Sequence, residues 1–232
     1  MDASLARPAA PGRYPAVIVG MELFGVTGHI RSLVERFAEA GFVAVAPNFY
    51  HRTGAGLELA YDEAGRARGF DLLHALNRSD VLEDVAATLH VLRQREDTGP
   101  KIGFAGFSVG GMIAYLAAAS LDLSAVAVFY AGWLTTSEGP LGGAEPALAL
   151  TPAIADRGTA LLFLVGEDDA LIPADQRGEI ARALEDTGVR PGMVVLPGVG
   201  HGFFCDERGS FDQEARDESW GRVLALFSSE LS

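Results

Sequence analysis

The sequence predicts the α/β class: a mostly parallel sheet with helices on both faces and no large cap domain. Three observations predict it. Short apolar runs alternate with amphipathic helical patterns along the chain, the order that builds a parallel sheet. Runs such as SAVAVFYA and ALLFLVG lack polar–apolar alternation, as strands covered on both faces do. A length of 232 residues, 49% hydrophobic and 21% charged, suits one large domain with a sizeable core and excludes a disordered chain. No internal repeat or linker divides the sequence, so residues 1–232 are expected to form a single domain.

The elements follow in order. Residues 14–20 (YPAVIVG) read as a strand, and residues 29–40 as a helix with Ile30, Leu33, Val34 and Phe37 on one face. Residues 42–47 (FVAVAP) are the next strand. Residues 79–96 form a helix that Ser79 or Asp80 can cap, with Val81, Val85, Leu89 and Leu92 along a stripe. Residues 101–107 (KIGFAGF) are a strand, and residues 109–120 are apolar almost all round, so that helix should be buried. Strands at 124–131 and 160–166, a helix at 173–187, a strand at 192–196 and a closing helix at 211–231 complete the pattern. Two segments resist assignment: 52–77, rich in Gly and charge with room for one helix, and 132–151, rich in Gly, Pro and small residues. Both follow strands, where ligands gather in such sheets, and long irregular segments often serve as lids or binding loops.

Composition narrows the function. Lys+Arg is 18 against Asp+Glu 31, a formal net charge of −13. Such a surface repels phosphate backbones and anionic membranes, so neither nucleic acid nor membrane is an expected partner. The most apolar stretch, 109–134, is broken by Gly110, Gly111 and Asp122, and reads as buried helix plus strand. One cysteine, Cys205, excludes an intramolecular disulfide and argues against a cysteine metal cluster. Residues 1–12 lack the apolar stretch of a secretory signal, so the expected location is cytoplasmic. No phosphate-cradling or dinucleotide glycine motif and no H-E-x-x-H occurs, so no cofactor and no metal are expected. A monomer is the simplest expectation.

Gly106-Phe107-Ser108-Val109-Gly110 fits G-x-S-x-G and lies between a buried strand and a buried helix. There the turn is sharp, the neighbours must be small, and the serine hydroxyl sits at the head of a helix. The helix N-terminus and the Val109 N–H can then stabilise an oxyanion. The alternative is a Gly-rich turn with an ordinary serine cap. A serine nucleophile needs a base, and the base an orienting carboxylate. Gly166-Glu167-Asp168-Asp169 follows a strand and offers three acids. Gly200-His201-Gly202 follows another. Serine, acid, histidine is the chain order of one known triad arrangement. Asp169 is the preferred acid, with Pro173 four residues on. Asp168 is the runner-up, and Glu167 is expected to solvate the turn.

Together these segments resemble the dienelactone hydrolase (carboxymethylenebutenolidase) family of the α/β-hydrolase fold. The resemblance covers essentially the whole chain. It rests on residues 20–25 (GMELFG), 46–52 (APNFYHR), 106–111 (GFSVGG), 166–173 (GEDDALIP) and 200–203 (GHGF). It implies a cofactor-free hydrolase of esters or lactones acting on a small-molecule substrate. The best-known members carry cysteine where Ser108 stands here. The resemblance implies that Glu22 sits beside the nucleophile and that the Leu23 N–H is the second oxyanion donor. It also implies that Arg52 binds a substrate carboxylate. The family's second carboxylate-binding arginine falls on Cys205, with Arg208 nearby. Tyr50 and Trp133 are further candidates for the pocket wall. Two rival readings are a general short-chain carboxylesterase and a non-catalytic binder on the same fold.

Overall fold

The computed structural model describes residues 1–54 and 56–232. Seven strands are joined by seven α-helices: β1 (Ala3–Ala6), β2 (Tyr14–Gly20), α1 (Gly28–Glu39), β3 (Val43–Pro47), α2 (Glu63–His74), α3 (Arg78–Gln94), β4 (Thr98–Phe107), α4 (Val109–Ser120), β5 (Ala125–Phe129), α5 (Thr151–Arg157), β6 (Ala160–Gly166), α6 (Ala174–Asp186), β7 (Pro191–Leu196) and α7 (Gln213–Glu230). One sheet holds all seven strands in the order β1-β3-β2-β4-β5-β6-β7. β1 runs antiparallel to β3, and every other neighbour pair is parallel.

That order places the site. From β2 the chain crosses to β3 on one side, and from β4 it steps to β5 on the other. Right-handed crossovers in opposite directions put α1 and α4 on opposite faces. The gap between the carboxyl ends of β2 and β4 is where an open α/β sheet leaves room for a ligand. α7 joins α1 on its face, where Phe37 meets Trp220 at 4.6 Å and Phe227 at 6.0 Å. α4 is buried over every residue from Val109 to Ala119. Its helix therefore has no polar face, as its sequence requires.

Local chemistry accounts for the helix starts. Thr27 caps α1 by accepting from the Ile30 N–H, and Asp62 caps α2 by accepting from the Gly65 N–H at 2.7 Å. α3 starts one residue earlier than its periodicity suggests: Asn77, not Ser79 or Asp80, is the cap, and it accepts from the Asp80 N–H at 2.9 Å. The segment 52–77 holds one helix, α2. The segment 132–151 is irregular up to a 3₁₀ turn at Ala147–Leu150 that runs into α5. Arg78 holds this segment by donating to the Leu141 and Glu145 carbonyls at 2.7 and 3.0 Å. Two elements carried no signal. β1 is four residues long at the sheet edge, and α5 is seven residues long. Both are too short for periodicity to register. No helix among the described residues is long and apolar enough to cross a membrane.

Candidate active site

β4 ends in a turn that only small neighbours permit. A Cβ on Gly106 would stand 2.1 Å from the Gly110 carbonyl oxygen, and one on Gly110 would stand 2.5 Å from the Gly20 carbonyl oxygen. Neither is possible without moving backbone, so the glycines let α4 start directly above β2 and β4. Ser108 occupies the turn with φ 53° and ψ −109°, a strained conformation for a residue with a side chain. Its backbone N–H is fixed to the Phe129 carbonyl at 3.0 Å. Its hydroxyl makes no cap bond to α4, so the ordinary-cap alternative does not describe it. Instead Ser108 Oγ lies 3.0 Å from His201 Nε2.

His201 and the acid turn reach Ser108 from β7 and β6. The Asp168 N–H donates to the Val199 carbonyl at 3.0 Å and the Glu167 N–H to the Leu196 carbonyl at 2.8 Å, tying the two loops together. Glu167 braces them by accepting from the Gly198 N–H at 3.3 Å. Asp169 is buried, and its Oδ2 lies 2.9 Å from His201 Nδ1. Its Oδ1 accepts from the Leu171 N–H at 2.9 Å. With Nδ1–H donating to Asp169, Nε2 is left as the acceptor facing the serine hydroxyl. Asp168 makes no such contact.

Ser108, Val109 and His201 line a cavity of about 270 Å³ together with Glu22, Leu23, Phe70, Trp133, Arg66 and Arg208. As the first residue of α4, Val109 has an N–H with no partner inside the helix, and the residue lines this cavity. Glu22 is buried. Its Oε1 accepts from the Tyr130 hydroxyl at 3.2 Å and from Arg208 Nη1 at 3.3 Å, while Oε2 has no partner among the described residues. A buried carboxylate with only one oxygen satisfied needs the nearby cation to hold its charge. Arg208 also covers the Phe24 ring at 5.8 Å. A Cβ at Gly202 would fall 2.2 Å from its Nη1, so the glycine after His201 makes room for the guanidinium.

Two of the sequence-derived candidates stand elsewhere. Arg52 does not line the cavity: its Nη1 donates to Asp84 Oδ2 at 2.5 Å, and its Nε lies 3.8 Å from Asp80. The acids of α3 capture it, and a strand-end position alone could not reveal that. Tyr50 is buried behind Leu23, donates its hydroxyl to the Leu23 carbonyl at 3.1 Å, and does not reach the cavity. Burial pushes its hydroxyl well above the ordinary tyrosine range. Arg66 on α2 and Arg208 are the guanidiniums that line the cavity. Arg66 lies inside the segment that resisted assignment, where no periodicity marked it. Trp133 lines the cavity, from a backbone with φ 59°.

Cys205 is buried, and burial together with the negative charge of Glu22 pushes its thiol up to about 12. A thiol held protonated in this way is a poor nucleophile. Donor atoms of Cys205, His29 and Asp206 lie within 4.8 Å of one another, a grouping that sequence spacing could not show. Within it His29 Nδ1 and Asp206 Oδ1 are already paired at 3.1 Å.

The family model described as the dienelactone hydrolase family matches residues 1–231. The chain belongs to the dienelactone hydrolase family. A Synechocystis sp. protein, provisionally named carboxymethylenebutenolidase, is 38% identical over 228 residues, covering 98% of this chain and 91% of its own length. The carboxymethylenebutenolidase of Pseudomonas putida is 28% identical over 193 residues, covering 82% of this chain and 75% of its own. A crystal structure from Klebsiella pneumoniae, provisionally named dienelactone hydrolase, superposes with a TM-score of 0.85 at 30% identity, covering 97% of this chain and 92% of that one. Membership makes this chain a hydrolase of lactone or ester bonds with an α/β-hydrolase fold and a small-molecule ester substrate.

Proposed function

We propose that the enzyme cleaves its ester or lactone through an acyl-enzyme on Ser108. The observation that carries this reading is the unbroken hydrogen-bonded line from Ser108 Oγ to His201 at 3.0 Å and from His201 to Asp169 at 2.9 Å. Ser108 Oγ attacks the carbonyl carbon while His201 Nε2 takes the hydroxyl proton. Asp169 keeps the imidazole in the right tautomer and stabilises the imidazolium. The Val109 and Leu23 N–H groups hold the tetrahedral oxyanion. His201 returns its proton to the leaving alkoxide, or to the enolate oxygen of an opened lactone. A water, deprotonated by His201, then attacks the acyl carbon and releases Ser108. No cofactor or metal takes part in these steps.

The substrate we infer carries a carboxylate near the scissile bond. Two guanidiniums, Arg66 and Arg208, line a small and otherwise largely apolar cavity. A carboxylate is the group that such forks recognise. The anchor role expected of Arg52 passes to these two. A neutral short-chain ester is the second reading, favoured by the apolar walls that Phe70, Leu73, Leu171 and Trp133 supply. The test is hydrolysis of a dienelactone beside p-nitrophenyl acetate, with wild type and Ser108→Ala in parallel. Loss of both activities in the variant with wild-type preference for the lactone supports the proposal. Turnover of the neutral ester alone would keep the nucleophile and discard the anionic substrate. Normal turnover by Ser108→Ala would sink the mechanism.

A further inference from the structure

Tyr130 stands between His201 and the buried Glu22 and belongs to neither motif. It follows β5 and is fully buried. Its backbone has φ 38°, a left-handed conformation that a bulky residue keeps only where its surroundings over-determine it. The surroundings do so here. Its N–H donates to the Leu164 carbonyl at 2.7 Å. Its ring is packed between Phe203, at 5.3 Å and 73°, and the imidazole of His201, at 5.0 Å and 65°. Its hydroxyl donates to Glu22 Oε1 at 3.2 Å. Tyrosine commonly divides labour this way, with a rigid apolar body and one polar tip.

We propose that Tyr130 is a positioning residue with two separable roles: its ring fixes the plane of the His201 imidazole, and its hydroxyl fixes Glu22 beside Arg208. This rests on the reading of Ser108, His201 and Asp169 as the triad. Asp169 at Nδ1 and the Ser108 hydroxyl at Nε2 are both in-plane contacts, and neither opposes rocking of the ring about the line that joins them. Nε2 must face Ser108 Oγ, then the leaving oxygen, then the attacking water. Small errors of position are costly at such a group, on the order of 10²-fold for 1 Å. The edge-to-face contact with Tyr130 removes the rocking motion without adding another polar partner to compete for the proton. On the other side, Glu22 has one satisfied oxygen shared between Tyr130 and Arg208. Without the tyrosine hydroxyl, Glu22 leans on Arg208 alone and competes more strongly with an incoming carboxylate.

The experiment compares Tyr130→Phe and Tyr130→Leu by the pH dependence of the p-nitrophenyl acetate burst, and by KM for a carboxylate-bearing and a neutral ester. The groups around His201 that shape the profile are Asp169 on the acid turn, Ser108, and Glu22 and Arg208 on the cavity wall. Tyr130→Phe should acylate within about threefold of wild type and raise KM several-fold for the anionic ester only. Tyr130→Leu should acylate about 10- to 100-fold more slowly. Its acid limb should move to higher pH, because a smaller side chain lets water reach the imidazolium. Wild-type burst and limb in Tyr130→Leu would overturn the ring's role. An equal loss in Tyr130→Phe and Tyr130→Leu would overturn it too, and an unchanged anionic KM in Tyr130→Phe would overturn the hydroxyl's role. Thermal denaturation checks folding, and Tyr130→Met, closer in length, carries the same expectation should the leucine variant not fold. Ser108→Ala measured alongside separates the two ideas: a burst there would mean the triad reading has failed, whatever Tyr130 does.

Discussion

On one side of the cavity Ser108, His201 and Asp169 sit on turns that leave β4, β7 and β6 and are tied to the sheet and to one another by backbone hydrogen bonds. On the other side Glu22, Arg66, Trp133 and Arg208 come from separate loops and one helix, and side-chain contacts add to their local backbone hydrogen bonds. Arg208 meets Glu22 at 3.3 Å, and Arg78 straps down the segment that bears Trp133. On the proposed mechanism, the difference divides the labour. Groups that move protons need fixed geometry, and strand ends supply it. Groups that recognise the rest of the substrate need adjustable contacts, and loops carry those.

Breaking the rigid side should give the largest effect. Ser108→Ala and His201→Ala should each lower kcat by about 10⁴-fold or more, read from steady-state hydrolysis of an activated ester. Asp169→Asn should approach the same loss with its fold intact, because the amide favours the wrong tautomer. A single-site loss under tenfold would mean that these residues do not act as a unit.

The adjustable side should respond selectively. Arg208→Ala should raise KM for a carboxylate-bearing lactone about 10- to 100-fold, the worth of one charged hydrogen-bonded contact, with far less change on a neutral ester. Equal changes on both substrates would erase the distinction between the two sides. Arg52→Ala sharpens the comparison from outside the cavity. Its guanidinium serves Asp84, so anionic-substrate KM should stay within about twofold while thermal stability falls slightly.

The smallest effect concerns stability at high pH. Burial raises the Cys205 thiol from an ordinary 9.0 to about 12. The unfolded chain therefore releases this proton before the native one does. The associated stability is fully present below pH 9 and is lost as pH rises toward 12. Denaturation midpoints followed between those values should fall less steeply in Cys205→Ala than in wild type. An identical slope would contradict the assignment.

The same division decides what could be read from the amino-acid sequence. The strands of the central sheet announced themselves as unbroken apolar runs. Ser108, Asp169 and His201 could be put forward as candidates because each sits on a short turn just after such a run, where local residue types and backbone geometry are coupled. Arg66 and Arg208 could not be separated from Arg52 that way. All three are arginines near strand ends or in irregular chain, and only the placement of α2 and the acids of α3 decides which one faces the cavity. Tyr130 was hidden for a related reason: it reads as one more apolar residue of the strand at 124–131, and the role proposed for it depends on a backbone turn that residue type does not reveal. β1 and α5 were too short for any period to show.

The most direct measurement is the intact mass of the protein, followed by peptide mapping, after rapid quenching with p-nitrophenyl acetate. One acetyl group per chain is expected on the peptide containing Ser108, absent from Ser108→Ala. Turnover with no covalent adduct, or an adduct on Cys205 instead, would contradict it.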